Sequence, residues 1–253
     1  MAKACIGIDL GSTTVKAVAL KGRVLASAIK STGANPKKTG EAILEQVLQT
    51  AGISVDKIIA TGYGRVTFPA DEIVSEITAH AKGSHHLFPG ARTVIDIGGQ
   101  DSKISRIDSY GRVLDFAMND RCAAGTGRFI ENIARALEVS LEEFSQKSLA
   151  SSSPANINSM CTVFAESEVI SQIAQGTSIE DVSAGVYASV ARRIRAMVEK
   201  IGVEDQVVFT GGTARSIAMK NALEETIKIK LIVPEEPQMV GALGAAVIGR
   251  DGY

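Results

Sequence analysis

The sequence predicts an α/β protein of two similar halves, and three observations carry that prediction. Asp9-Leu-Gly-Ser-Thr-Thr-Val-Lys16 and Asp96-Ile-Gly-Gly-Gln-Asp-Ser-Lys103 both fit Asp-x-Gly-x4-Lys. Each follows an apolar, strand-like run, Ala4 to Ile8 in one case and Thr93 to Ile95 in the other. Downstream, Gly22-Arg-Val-Leu25 is answered by Gly111-Arg-Val-Leu114 at almost the same offset. Self-similarity at long period marks duplicated architecture. Two such glycine turns, facing each other, would clamp a polyphosphate from both sides.

The elements follow in order. Ile6 to Leu10, Thr14 to Leu20 and Arg23 to Ala28 read as three strands, with Gly11-Ser-Thr and Lys21-Gly22 supplying the turns. Thr39 to Ala51 places Ala42, Ile43, Val47 and Leu48 at helical spacing. Lys57 to Thr61 reads as a strand ending in Gly62-Tyr-Gly64, and Glu72 to Ala81 as a helix before a boundary at Phe88-Pro89-Gly90. The pattern then restarts. Thr93 to Ile97, Lys103 to Ile107 and Val113 to Ala117 repeat the three-strand opening. Helices are expected at Arg128 to Leu137, Leu141 to Lys147, Cys161 to Ala174 and Asp181 to Ile201. The last carries Val182, Val186, Val190, Ile194, Val198 and Ile201 at near-regular helical intervals. Gln206 to Thr210 and Lys228 to Val233 read as strands, Ala214 to Thr226 as a helix and Met239 to Ile248 as a closing helix. The expected division is 1–90 and 91–253, with a helical insertion in the second half and the closing helix free to pack back on the first.

Composition excludes several classes. The 253 residues suffice for a sizeable core, and 45% apolar with 22% charged residues is ordinary globular usage. A net charge of −1 provides no field directed at nucleic acid or an acidic membrane. The longest near-apolar stretch, Val240 to Gly249, falls far short of the ~20 residues of a membrane span. No secretory leader is recognisable, so the cytoplasm is the expected compartment. Three widely spaced cysteines do not make a disulfide framework.

The turns point to nucleotide chemistry. Gly11 lets backbone approach a phosphate, Ser12, Thr13 and Thr14 offer hydroxyls, and Lys16 offers a point charge. Asp9 suits a Mg²⁺-bound water, because Mg²⁺ keeps waters and takes few carboxylates. In the second turn Gly98 and Gly99 take the backbone role, and Gln100 and Asp101 are candidates for positioning an attacking water. Phe209-Thr-Gly-Gly-Thr-Ala214 closes a strand and opens a helix; Gly211, Gly212 and Ala214 can bring backbone close to an adenosine or its α-phosphate. Gly125, Thr126 and Gly127 can touch phosphate as well as start a helix. Any one of these segments alone would be ordinary turn chemistry; their order on a duplicated frame argues for ATP. Neither Gly-x4-Gly-Lys-Ser/Thr nor a Gly-x-Gly-x-x-Gly after the first strand is present. The arrangement resembles the actin, Hsp70 and sugar-kinase superfamily, whose two ribonuclease-H-like halves close on ATP.

Two cysteine segments stand outside that superfamily pattern, Asn119-Asp-Arg-Cys122-Ala-Ala-Gly-Thr-Gly-Arg128 and Ser159-Met-Cys161-Thr-Val-Phe-Ala-Glu-Ser-Glu168. Each cysteine comes at or just before a predicted helix start, a position that favours anions, thiolates included. Two thiolates per chain are half of what a cubane iron–sulfur cluster takes, and a symmetric homodimer supplies four. A zinc site shared across a dimer is also compatible, and free cysteines are more often small buried apolar residues than ligands. Cys5, inside the first strand, fits that last reading. The three histidines, His80, His85 and His86, match no ligand spacing and read as surface or linker residues.

With these segments the sequence resembles the activator component of 2-hydroxyacyl-CoA dehydratases, a family that includes ATPase subunits of benzoyl-CoA reductase. The resemblance runs from Ile6 to about Ala246, through Gly7-Ile-Asp-Leu-Gly-Ser-Thr13, Ala60-Thr-Gly-Tyr-Gly-Arg65, Val94 to Asp101, the two cysteine segments, Thr210-Gly-Gly212 and Gly241-Ala-Leu-Gly244. The resemblance implies an oxygen-sensitive homodimer bridging one [4Fe-4S] cluster, with Cys122 and Cys161 of each subunit as ligands. It implies ATP hydrolysis that drives one low-potential electron into a partner dehydratase or related iron–sulfur reductase, with ferredoxin or flavodoxin as the electron donor. The runner-up is an actin-fold kinase of a small metabolite; a third reading is an ATP-gated binding protein.

Overall fold

The computed structural model describes residues 3–119, 123–158 and 161–252. Its order of elements begins with strands β1 (Cys5–Leu10), β2 (Thr14–Lys21) and β3 (Arg23–Ser31), helix α1 (Pro36–Ala51), β4 (Lys57–Thr61), β5 (Glu72–Ile73) and α2 (Glu76–Leu87). It restarts with β6 (Thr93–Ile97), β7 (Ser102–Ile107) and β8 (Val113–Asn119), then α3 (Gly127–Ala136), α4 (Leu141–Leu149), α5 (Thr162–Ala174) and α6 (Ile179–Ile201). It closes with β9 (Val207–Thr210), α7 (Ile217–Ile227), β10 (Leu231–Ile232) and α8 (Val240–Asp251).

The strands form two five-stranded sheets, ordered β3-β2-β1-β4-β5 and β10-β9-β6-β7-β8. In the first, β1 runs antiparallel to β2 and parallel to β4, with Asp9 beside both Lys16 and Thr61. The chain groups into two compact units, one of Met1–Val94, Ser105–Asp115 and Pro234–Tyr253, the other of Ile95–Ile104 and Phe116–Val233. The core of the first unit is filled by Ile6, Ile8, Leu10, Val15, Ile43 and Val47, and α8 packs on β1, β2, β4 and α2. The second buries Phe129, Ile133, Phe144, Tyr187 and the long stripe of α6. Burying one such aliphatic or aromatic side chain contributes roughly 1.5–3 kcal/mol.

Most boundaries fall within a few residues of expectation, and local chemistry explains the differences. The helix expected at Glu72 to Ala81 starts later, because Ser75 caps it through a hydrogen bond from Thr78 N at 3.1 Å. Glu72–Ile73 instead joins the sheet parallel to β4. Residues Gly212–Arg215 form a 3₁₀ turn, and α7 begins after the Ser216 cap. Lys228 adopts a left-handed conformation as the end cap of α7, which leaves only Leu231–Ile232 for the expected strand. His80, expected at the surface, is buried in α2. Among the described residues no helix is long and apolar enough to cross a membrane.

Candidate functional site: two phosphate-type turns and a cysteine-bearing helix start

The first turn is assembled inside the first unit. Asp9 is the penultimate residue of a fully buried strand, and the hairpin to β2 returns Lys16 to it, with Nζ 2.9 Å from Asp9 Oδ2. Lys16 is therefore paired with the aspartate of its own motif rather than standing alone. Thr32 Oγ1 donates to Gly11 O at 2.7 Å and so fixes the turn from β3. Gly62, at φ +90°, closes the other side: a Cβ there would lie 2.5 Å from Asp9 Oδ1. Only glycine adopts that backbone without strain while leaving room for the carboxylate. His80 enters from α2, and a Cβ at Gly241 would meet both His80 Nε2 at 2.7 Å and Asp9 Oδ2 at 3.5 Å. Thr13 Oγ1 is buried with no hydrogen-bond partner, a vacancy in hydrogen bonding that a phosphate oxygen or a metal-bound water would fill. A lone carboxylate such as Asp9 would suit a hydrated Mg²⁺, which takes one or two carboxylates and keeps its waters.

The second turn lies in the second unit and gathers three of the segments singled out in the sequence. Gly98 and Gly99 offer their carbonyls to Gly127 N and Arg128 N at 2.9 and 2.8 Å. The Ser102 hydroxyl donates to Gly125 O, and Thr213 Oγ1 donates to Ile97 O at 3.1 Å. The 97–102 segment, the 125–127 helix start and the 211–214 segment therefore form one hydrogen-bonded body. Gln100 is exposed, Asp101 half-buried, and Ala214 buried with the 3₁₀ turn. Thr210 Oγ1 lies 3.2 Å from Asp96 Oδ1 and donates to it. Gly211, again at φ +90°, would place a Cβ 2.7 Å from the same oxygen.

Sequence reasoning gave a site role to Asp9 but none to Asp96, Lys103, Thr61, Thr210 or His80. The repeat itself contained the signal for two of them, since Asp96 and Lys103 occupy the positions of Asp9 and Lys16. The threonines carried no local signal, because they reach the site only as neighbours of β1 and β6 in the sheets.

The cysteines separate sharply. Cys5 is fully buried, and burial, with Asp56 nearby, pushes its thiol up, which suits an inert core residue. Cys161 is exposed and forms the N-cap of α5, followed by Val163 and Phe164, each 69% exposed. Cys122 lies outside the described residues. Among the described residues no three His, Cys, Asp or Glu side chains cluster as a metal site.

The chain is similar to known proteins over nearly its whole length. The chain is 44% identical over 253 residues to a 2-hydroxyisocaproyl-CoA dehydratase activator of Clostridioides difficile, covering 97% of this chain and 94% of that protein. It is 45% identical over 248 residues to an activator of lactoyl-CoA dehydratase from Anaerotignum propionicum, covering 96% and 95%. The solved 2-hydroxyisocaproyl-CoA dehydratase activator from Clostridium difficile, with bound ADPNP, superposes with a TM-score of 0.92 at 42% identity, over 98% of this chain and 94% of that one. A glucokinase of the ROK family from Streptomyces griseus shares the fold alone, with a TM-score of 0.63 at 14% identity, covering 98% of this chain and all of that one (100%). The expected actin-like, sugar-kinase-type α/β fold is thus borne out, as is the resemblance read from the motifs. With residues 6–249 matching it, the chain belongs to the BadF/BadG/BcrA/BcrD ATPase family.

Proposed function

We propose that this protein is an ATP-dependent activator that passes a low-potential electron to a 2-hydroxyacyl-CoA dehydratase or a related iron–sulfur reductase. The observation that supports it most is the exposed Cys161 at the start of α5, in a chain otherwise built as an actin-like ATPase. Cys122 and Cys161 of two copies would hold one [4Fe-4S] cluster, making the working form a homodimer. The cluster, when bound, supplies storage for one strongly reducing electron, reloaded by ferredoxin or flavodoxin.

The remaining chemistry belongs to the chain's own residues. Gly11, Ser12, Thr13, Thr14 and Lys16 bind phosphate oxygens in the first turn, and Asp9 orients a water of Mg²⁺. Gly98 and Gly99 bring backbone to the phosphates in the second turn, while Gln100 and Asp101 orient the attacking water. Gly211, Gly212 and Ala214 meet the adenosine, and Gly125, Thr126 and Gly127 join the phosphate contacts. Because Gly127 N and Arg128 N are bonded to the carbonyls of Gly98 and Gly99, a shift of the second turn on hydrolysis moves the start of α3, a few residues after Cys122. Its place of action in this reading is the cytoplasm.

Anaerobic purification, iron and sulfide counts and EPR test this reading. Four irons and four sulfides per dimer are expected, with a reducible signal lost in Cys161→Ser and in Cys122→Ser. An iron-free protein that still hydrolyses ATP after anaerobic reconstitution would sink the electron-transfer role and leave an actin-fold kinase or ATP-gated binding protein.

A further inference from the structure

The two Asp-x-Gly-x4-Lys repeats place their lysines at the same position and give them different partners. Lys16 Nζ bonds Asp9 at 2.9 Å. Lys103 Nζ lies 2.7 Å from Asp101 Oδ1 and 3.7 Å from Asp96 Oδ2, with its side chain 7% exposed. The extra carboxylate comes from one substitution between the repeats, since Asp101 stands where the first repeat has Thr14. Asp96 is buried to the same degree as the lysine, and its other oxygen is taken by Thr210. Asp101 is the more open of the two acids, 26% exposed. Its Oδ1 would lie 2.9 Å from a Cβ at Gly98, so the carboxylate folds over the first glycine of the turn. Gly98 N also donates to Asp101 O at 2.9 Å, which fixes the backbone beneath it.

We propose that Lys103 is a positioning residue for Asp101. Anchored by Asp96, its buried ammonium holds one oxygen of Asp101 and leaves the other free to orient the water that attacks the γ-phosphate. This rests on the ATPase reading above. The water oxygen bonds to the γ-phosphorus as the bond to the β–γ bridging oxygen breaks. ADP leaves with that electron pair, and the proton lost by the water passes through Asp101 to solvent. With a carboxylate on each side of it, Lys103 serves the turn rather than the nucleotide. That separates it from Lys16, whose position in the first turn carries a phosphate-binding role.

Steady-state ATPase kinetics and calorimetric titration with ADPNP, on the anaerobically purified full chain, test the assignment. Lys103→Met should lower kcat by about tenfold to a hundredfold, the scale of a small misplacement of a catalytic group, while ADPNP affinity stays within about twofold of wild type. Lys103→Arg should recover most of the rate. Combining Lys103→Met with Asp101→Asn should be no worse than Asp101→Asn alone, because both changes remove one function. Lys103→Gln serves the same measurement if the methionine variant does not fold. Weakened ADPNP binding at unchanged kcat would assign Lys103 to phosphate instead and overturn the proposal, as would losses that multiply in the double variant. Asp101→Asn with wild-type kcat would overturn the role of Asp101 itself, a failure distinguishable from that of Lys103.

Discussion

The two turns share a scaffold and differ in charge, and the difference shows how one changed side chain alters a duplicated turn. Each places an aspartate at a strand end, a lysine on the next strand and a Thr-Gly pair at the end of a neighbouring strand. Both threonines are fully buried, and both glycines sit at φ +90° against their aspartate. Around Asp9 the formal charges of acid and lysine cancel. Around Asp96 two acids share one lysine, and Thr210 adds a hydrogen bond. Thr61 makes no such bond; its hydroxyl is buried without a partner. The first turn is therefore a matched pair of one acid and one lysine. The second retains a carboxylate beyond what its lysine neutralises.

Truncating the two aspartates should expose this difference most strongly. Asp9→Ala leaves Lys16 buried without its counter-charge, and breaking such a pair costs about 3–5 kcal/mol. Asp96→Ala leaves Lys103 still bonded to Asp101, so less than half that loss is expected. Urea denaturation without nucleotide measures both, and equal losses would mean that the two lysines are held alike.

The glycines should behave as a matched control. Gly62→Ala and Gly211→Ala each force a left-handed backbone on alanine and push a methyl toward the aspartate, at a cost of about 1–3 kcal/mol. Melting temperatures should fall by several degrees in both variants. A large drop in one alone would show that the backbone duplication is less complete than the shared φ indicates.

The threonines give the smallest effect and the sharpest contrast. Thr210→Val removes a hydrogen bond to a carboxylate, worth about 1.5 kcal/mol. Thr61→Val removes only an unsatisfied hydroxyl and should be neutral or slightly stabilising. Denaturant midpoints that move together in the two variants would contradict the difference in hydrogen bonding.

Much of this was legible in the chain. The repeat announced the duplicated sheets, the spacing of Val182 to Ile201 announced α6, and the cysteine segments set this ATPase apart from kinases of the same fold. Local signals were misleading at a few points. Glu72 to Ala81 has helical composition throughout, but the Ser75 cap and pairing with β4 divide it. Lys228 looked like the start of a strand because nothing nearby marks a left-handed helix cap in a lysine. His80 gave no sign of burial, since the elements that cover it are remote in sequence.

What the sequence by itself determined is the set of groups each turn possesses, because glycine, threonine, aspartate and lysine were written at repeating positions along the chain. The tertiary structure alone decided which of those groups meet. Thr61 lies 52 residues from Asp9 and Thr210 lies 114 from Asp96, and strand order, set by burial of the apolar faces, brings each beside its aspartate. The second lysine's choice of two acids is decided in the same way, by the fold of the Gly98–Asp101 turn over a buried ammonium, where a charge must find its partners within a few ångströms.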